Sequence, residues 1–273
     1  MTVFAANLVR RIGTALLVLP LLLAAFLLGP PLLGVSIVAA AVLLGALEFF
    51  RFLEGRGLPP LRGPGLLLTA VLFLEVARPG GVGAPLWPLA ALLLLAFALL
   101  PGRDLAQTVP AAGGTLLGAV YLGGLGGTIA ALRVLEPLGE GAWRIVLLLV
   151  VIMASDTLAF FGGHAMGRHR LAPLLSPAKT VEGAAAGLLG GVLGALAVRA
   201  LGLPRLPIFH AVALGLGVSA MGVLGDLNES LLKRWAGVKD SGTLFPGHGG
   251  MLDRLDSLLF GAPVLYYYFL YVR

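Results

Sequence analysis

The sequence has no cysteine, which excludes disulfide bonds, a thiolate nucleophile, an iron–sulfur cluster and thiolate zinc sites. Charge is also scarce: Asp, Glu, Lys and Arg together supply 12% of 273 residues, against about 25% in ordinary globular chains. Histidine occurs four times. Hydrophobic residues, by contrast, make up 59% of the chain, with 40 glycines besides. So few charged side chains cannot cover a soluble fold carrying that much hydrocarbon. A soluble enzyme, a disordered chain and a small disulfide scaffold are excluded, and lipid is the expected solvent. The net charge of +6 would suit nucleic acid, but no nucleic-acid motif accompanies it. In a membrane chain such an excess reports orientation, and no nucleic-acid partner is expected.

A spanning helix needs about 20 mostly apolar residues. On that ruler nine runs qualify: 12–29, 32–50, 64–77, 84–100, 108–132, 142–161, 182–201, 208–226 and 255–272. The third and fourth are short, and the fourth is interrupted by Pro85 and Pro88. Arg10 and Arg11 precede the first run as in a secretory signal, but a second run follows at once and no small-residue cleavage site intervenes. The expected fold is therefore an all-α polytopic integral membrane protein of about nine transmembrane helices. About five of them fall in residues 1–141, and a catalytic region with polar loops occupies 142–273. With the N-terminus inside, 13 Lys and Arg residues fall on the inner side and 6 on the outer, which favours N-in, C-out. Gly183, Gly187 and Gly191, with Gly190 and Gly194 offset, give small-xxx-small spacing on the seventh run. That pattern suits close helix packing, or a subunit contact in a homodimer. Gly215-Leu216-Gly217 with Ala220 mimics a dinucleotide fingerprint but lies inside an apolar run with no strand before it.

The 13 carboxylates are unevenly placed. Glu48, Glu54, Glu75, Asp104, Glu136 and Glu140 are scattered through the first half, where helix ends and loops solvate them. Asp156, Glu182, Asp226, Glu229, Asp240, Asp253 and Asp256 all fall at or near one membrane face, together with Lys179, Lys233, Arg234, Lys239 and Arg254. Ionisable groups bordering a span are costly, so this concentration asks for a reason. Asp226 and Glu229 are three apart at the end of the eighth run, and Asp253 and Asp256 three apart at the start of the ninth. Converging carboxylates repel unless a cation sits among them or Lys233, Arg234 and Arg254 pair with them. Without cysteine and with little histidine, oxygen ligands and a hard cation such as Mg2+ fit best.

Two polar links supply anion-binding chemistry. Trp235–Leu252 holds Gly237, Gly242, Gly247, Gly249 and Gly250, whose backbone N–H groups suit phosphate oxygens, beside Lys239, His248 and Arg254. The link between the sixth and seventh runs holds Gly162-Gly163-His164-Ala165-Met166-Gly167-Arg168 and then Ser176 to Gly183. Ser176 or Thr180 is expected to cap the seventh helix. His164 and His169 read as surface residues. A divalent cation beside phosphate-binding groups points to phosphoryl or nucleotidyl transfer.

These residues form a recognisable pattern. Ser230, Lys233-Arg234, Lys239-Asp240, Gly242, His248-Gly249-Gly250, Asp253-Arg254 and Asp256 closely resemble the motif of phosphatidate cytidylyltransferases, the CDP-diacylglycerol synthases. Asp156-Thr157, the run Ser176-Pro-Ala-Lys179-Thr180-Val-Glu182-Gly183 and Gly225-Asp226-Leu227-x-Glu229-Ser230 extend the resemblance over most of 150–273. There are two departures: His164 stands where the family often has Gly-Arg, and Ala178 where a second lysine is common.

The resemblance implies CTP plus phosphatidic acid giving CDP-diacylglycerol and pyrophosphate, with Mg2+ and, in some members, a monovalent cation such as K+. Catalysis would fall to Asp226, Asp253, Asp256, Lys239 and Asp240. The metal would be held by Asp226, Glu229, Asp253 and Asp256. Substrate contacts would come from Ser176, Lys179, Thr180, Glu182, Ser230, Lys233, Arg234, His248, Gly249, Gly250 and Arg254. A homodimer in an inner (cytoplasmic) membrane, its site facing the cytosol, is the expected setting. A cytidylyltransferase for another lipid phosphate shares this headgroup chemistry. An ion-coupled transporter also lines its pathway with acids, though nearer the midplane.

Overall fold

The computed structural model describes residues 20–78, 85–100, 104–244 and 249–272. Helices α1 (residues 20–28), α2 (Pro31–Gly55), α3 (Arg62–Ala77), α4 (Trp87–Ala98) and α5 (Leu105–Ala119) come first. A π-helical turn at Val120–Gly124 leads into α6 (Leu125–Val134), followed by α7 (Leu138–Met166). Strands β1 (Arg170–Ala172) and β2 (Ser176–Thr180) precede α8 (Val181–Gly202), α9 (Ile208–Ala236) and α10 (Leu252–Tyr271). Within the described residues, every apolar run read from the sequence holds a helix. Pro31–Gly55, Leu105–Val134, Leu138–Met166, Val181–Gly202 and Ile208–Ala236 are long and apolar enough to cross a membrane. The chain is thus an all-α polytopic membrane protein, and its many exposed leucines and phenylalanines are a surface made for lipid.

The chain divides into two compact units. The first comprises Met1–Val76, Gly80–Gly127 and Ala236–Leu255, so a segment from late in the chain belongs with the N-terminal helices. Helix α2 starts at Pro31, where a missing N–H costs nothing, and ends before Gly57, whose φ of +72° needs a glycine. Phe50, Phe52 and Tyr121 pack around Phe49, and Leu61, Leu68, Leu94 and Ala119 belong to one buried core cluster. Thr115 accepts the Leu61 N–H at 3.1 Å, satisfying a buried donor ahead of α3.

The second unit comprises Ala77–Pro79, Thr128–Trp235 and Asp256–Arg273. The small-residue stripe on α8 is spent inside it. Gly183, Gly187, Gly190 and Gly194 face α7, whereas Gly191 faces Ser219 and Gly215 on α9. Close helix packing therefore accounts for the stripe, and Gly215 is part of that packing. Arg144 is fully buried: it donates to the carbonyls of Leu135 (2.5 Å) and Glu136 (3.1 Å) and lies over the Phe269 ring. Arg133 is buried too, so two of the cations counted on the outer side are packed in the protein and not loop charges.

Two expectations need correction here. Gly162–Met166, expected in a loop, completes α7, because Gly162 and Gly163 let that helix lie close to Ala186, Gly183 and Thr180. The rest of the link is not plain loop either. It folds into a hairpin pairing Arg170 with Thr180 and Ala172 with Ser176. Helix α9 also outruns its apolar stretch by ten residues, ending at Ala236 because Gly237 adopts φ +75°.

Candidate active site

In the second unit, three acids converge. Asp226 and Glu229 lie one turn apart on α9, and Asp256 is on α10; one carboxylate oxygen from each lies within 4.8 Å of the others. Glycine makes the approach possible. A Cβ at position 225 would fall on the Asp256 carbonyl and lie 3.1 Å from Cβ of Phe260, so only Gly225 lets α9 come this close to α10. Asp256 is oriented by the Ser257 N–H, which donates to its Oδ1 at 2.6 Å.

Two lysines enter the same cluster. Lys179, on β2, pairs with Asp226, and Lys233 pairs with Glu229 one turn along α9. Glu229 is 1% exposed, so its charge is held almost wholly by protein. Three carboxylates face two ammonium groups, and carboxylates about 5 Å apart repel by roughly 3 kcal/mol at an effective dielectric near 20. The acids outnumber the lysines paired with them by one. Three oxygen donors at this separation fit a hard cation, whose ligands at 2.0–2.6 Å lie about 3–5 Å apart.

The hairpin is built to present Lys179. Thr180 ends β2 and caps α8, its Oγ1 accepting from the Gly183 N–H at 3.1 Å. Glu182 accepts from the backbone N–H of Arg168 (3.0 Å) and His169 (3.2 Å) and meets the His169 ring at 2.6 Å, closing the turn from its far side. Arg234 donates to the Leu175 carbonyl at 3.4 Å, tying the hairpin to α9. Ser176 is half-buried on β2 and Ser230 half-buried on α9. His164 and His169 lie at the surface, as expected.

The remaining site candidates lie in the first unit, apart from His248, which falls outside the described residues. Asp253 is bound to its own loop: its Oδ2 accepts from Ser241 N–H (2.9 Å) and Gly250 N–H (2.8 Å) and lies 2.8 Å from Ser241 Oγ. Gly249 turns the chain at φ +77° directly against that carboxylate. Lys239, Asp240 and Arg254 are exposed. In this link, whose glycine N–H groups were expected to suit phosphate, the N–H groups of Ser241, Gly250, Met251 and Leu252 are given to protein carboxylates.

One of those carboxylates corrects an expectation. Glu48 is 5% exposed, not solvated at a helix end, and accepts from Met251 N–H (2.9 Å), Leu252 N–H (2.8 Å) and Ser241 O–H (2.8 Å). The signal was present: an acid flanked by Leu47-type apolar neighbours and Phe49-Phe50 has no water to solvate it once α2 runs on to Gly55.

The chain as a whole is similar to known proteins. Residues 9–272 match the cytidylyltransferase family. A phosphatidate cytidylyltransferase of Synechocystis is 33% identical, the alignment covering 95% of each chain. One from Bacillus subtilis is 35% identical over 82% of this chain and 85% of its own. One from Helicobacter pylori is 49% identical over 45% of each chain. The chain belongs to this family of membrane-embedded nucleotidyltransferases, the phosphatidate cytidylyltransferases.

Proposed function

We propose that the protein joins CTP to phosphatidic acid, releasing pyrophosphate and forming CDP-diacylglycerol for phospholipid biosynthesis. The observation that carries this reading is the cluster of Asp226, Glu229 and Asp256 with Lys179 and Lys233 paired into it. An oxygen of the lipid phosphate attacks the α-phosphorus of CTP in line, and the bond to the β-phosphate breaks with pyrophosphate leaving. The lipid phosphate is ionised near neutral pH, so no separate base is required.

Both reactants are anions, and their approach depends on charge placed in advance. Asp226, Glu229 and Asp256 would hold Mg2+, which when bound offsets charge on the triphosphate. Lys179, half-buried beside Asp226, and Lys233 would turn from their carboxylate partners to phosphate oxygens. A second cation such as K+ belongs to this proposal as an accessory. In the other unit, Lys239, Asp240, Gly249, Gly250, Asp253 and Arg254 match the family's pattern, and on that resemblance Lys239, Asp240 and Asp253 serve catalysis, Asp253 as a further metal ligand, while Gly249, Gly250 and Arg254 bind substrate. Ser176, Thr180 and Glu182 would act by shaping the hairpin that carries Lys179, and Ser230 and Arg234 by their place beside it on α9.

The setting is an inner membrane with the N-terminus and the acid cluster on the cytosolic side, where CTP is available, in a homodimer. The bias of Lys and Arg toward that side supports the orientation, more so with Arg133 and Arg144 buried. The test is purified protein in mixed micelles with radiolabelled CTP and phosphatidic acid, with and without Mg2+. Label appearing in the lipid only with Mg2+ is the expected result. No label, with phosphatidic acid or with other lipid phosphates, would remove the transferase reading and bring ion transport forward.

A further inference from the structure

Glu48 caps a helix to which it does not belong. The N–H groups of Met251 and Leu252 open α10, and the first N–H groups of a helix have no partner within it. Such donors are ordinarily met by a nearby Ser, Thr, Asp or Asn. Here the acceptor comes from α2, 203 and 204 residues away, at the cost of burying a carboxylate. The segment is cut to fit it. A Cβ at Gly250 would overlap both the Glu48 carboxylate and Ser241 Oγ, and one at Gly242 would lie 2.5 Å from Glu48 Oε1. The Ser241 hydroxyl then links the two acids, lying 2.8 Å from Glu48 Oε2 and 2.8 Å from Asp253 Oδ2. All these groups lie in the same compact unit.

From these contacts we infer that Glu48 is a positioning residue of the transferase, acting through Ser241 to fix the Gly249-Gly250 turn and the Asp253 carboxylate. It touches no substrate. The inference rests on the reaction proposed above. A carboxylate is required because two N–H groups and one O–H all point at it. The amide of glutamine would set an NH2 against one of those donors, and aspartate is one methylene too short to reach.

The experiment is steady-state kinetics on detergent-purified wild type, Glu48→Ala, Glu48→Gln and Ser241→Ala, each normalised to folded protein by thermal unfolding. A shift of about 1 Å at a reacting site costs about 100-fold, so kcat/KM for CTP should fall about 100-fold in Glu48→Ala. The glutamine and Ser241→Ala variants should lose about tenfold, and KM for phosphatidic acid should stay within threefold throughout. Acetate supplies the carbon and the carboxylate that Glu48→Ala removes, so it should restore part of that variant's rate and leave wild type unchanged. Folded Glu48→Ala with kcat and both KM values within twofold of wild type would overturn the inference. Should that variant not fold, wild-type kinetics in both Glu48→Gln and Ser241→Ala would overturn it equally. Wild type that makes no labelled lipid from CTP would instead overturn the reaction itself, and this inference with it.

Discussion

Replacing Gly225 by alanine tests whether the meeting of α9 and α10 creates the acid cluster. The new methyl would fall on the Asp256 backbone carbonyl, which cannot swing aside as a side-chain tip could, and would press on Cβ of Phe260 at 3.1 Å. The helices must part by on the order of 1 Å to restore ordinary van der Waals contact. Overpacking of this kind costs about 1–3 kcal/mol, partly offset by the roughly 1 kcal/mol by which alanine is the better helix former. Stability should therefore fall only modestly. Activity should fall further, because moving Asp226 from Asp256 by about 1 Å costs about 100-fold at a reacting centre. The assay is kcat/KM for CTP beside thermal unfolding in detergent. Gly217→Ala is the control: on the same helix its Cβ meets only Cγ1 of Val264 at 3.3 Å, and it should keep wild-type kinetics. Gly225→Ala with kcat/KM within twofold of wild type would refute the claim that this close approach builds the site.

Asp256→Asn should lower kcat more than about 100-fold while the purified protein unfolds at its usual temperature, since one of three oxygen donors loses its charge. Near-normal turnover would take Asp256 out of the cation's shell. Lys179→Ala should raise KM for CTP or phosphatidic acid about tenfold, the worth of one charge-assisted hydrogen bond of ~1.5 kcal/mol, and unchanged KM for both would end its phosphate role. Because the chain lacks cysteine, Leu244→Cys gives a single reporter at an exposed position; a membrane-impermeant thiol reagent should reach it only from the cytosolic side. Labelling from outside would invert the topology.

Much of this was legible in one dimension. Membrane residence follows from composition, because hydrocarbon on this scale has no other solvent. Helix positions follow from apolar run length, since lipid forces each span to satisfy its own backbone. The pairing of Asp226 with Glu229 follows from helical periodicity, and Lys179, Lys233 and Asp256 follow from a motif whose polar residues stand at fixed spacing. What failed was local: the β1–β2 hairpin was read as loop because β1 and β2 are only 3 and 5 residues long and amphipathic periodicity needs more.

Composition, run length and residue spacing thus set the solvent, the helical fabric and the family to which the chemistry belongs. Which acids meet depends on how the helices pack. Asp253 and Asp256 are three apart on one helix, yet Asp253 is held by Ser241 and Gly250 while Asp256 joins Asp226 and Glu229. Glu48 was one scattered acid until α2 was packed beside a segment some two hundred residues later. Spacing along a chain reports which side chains share a helix face. Which groups a carboxylate then finds depends on the backbone brought against that face, here by glycines at 225, 242 and 250 whose missing Cβ atoms leave the room.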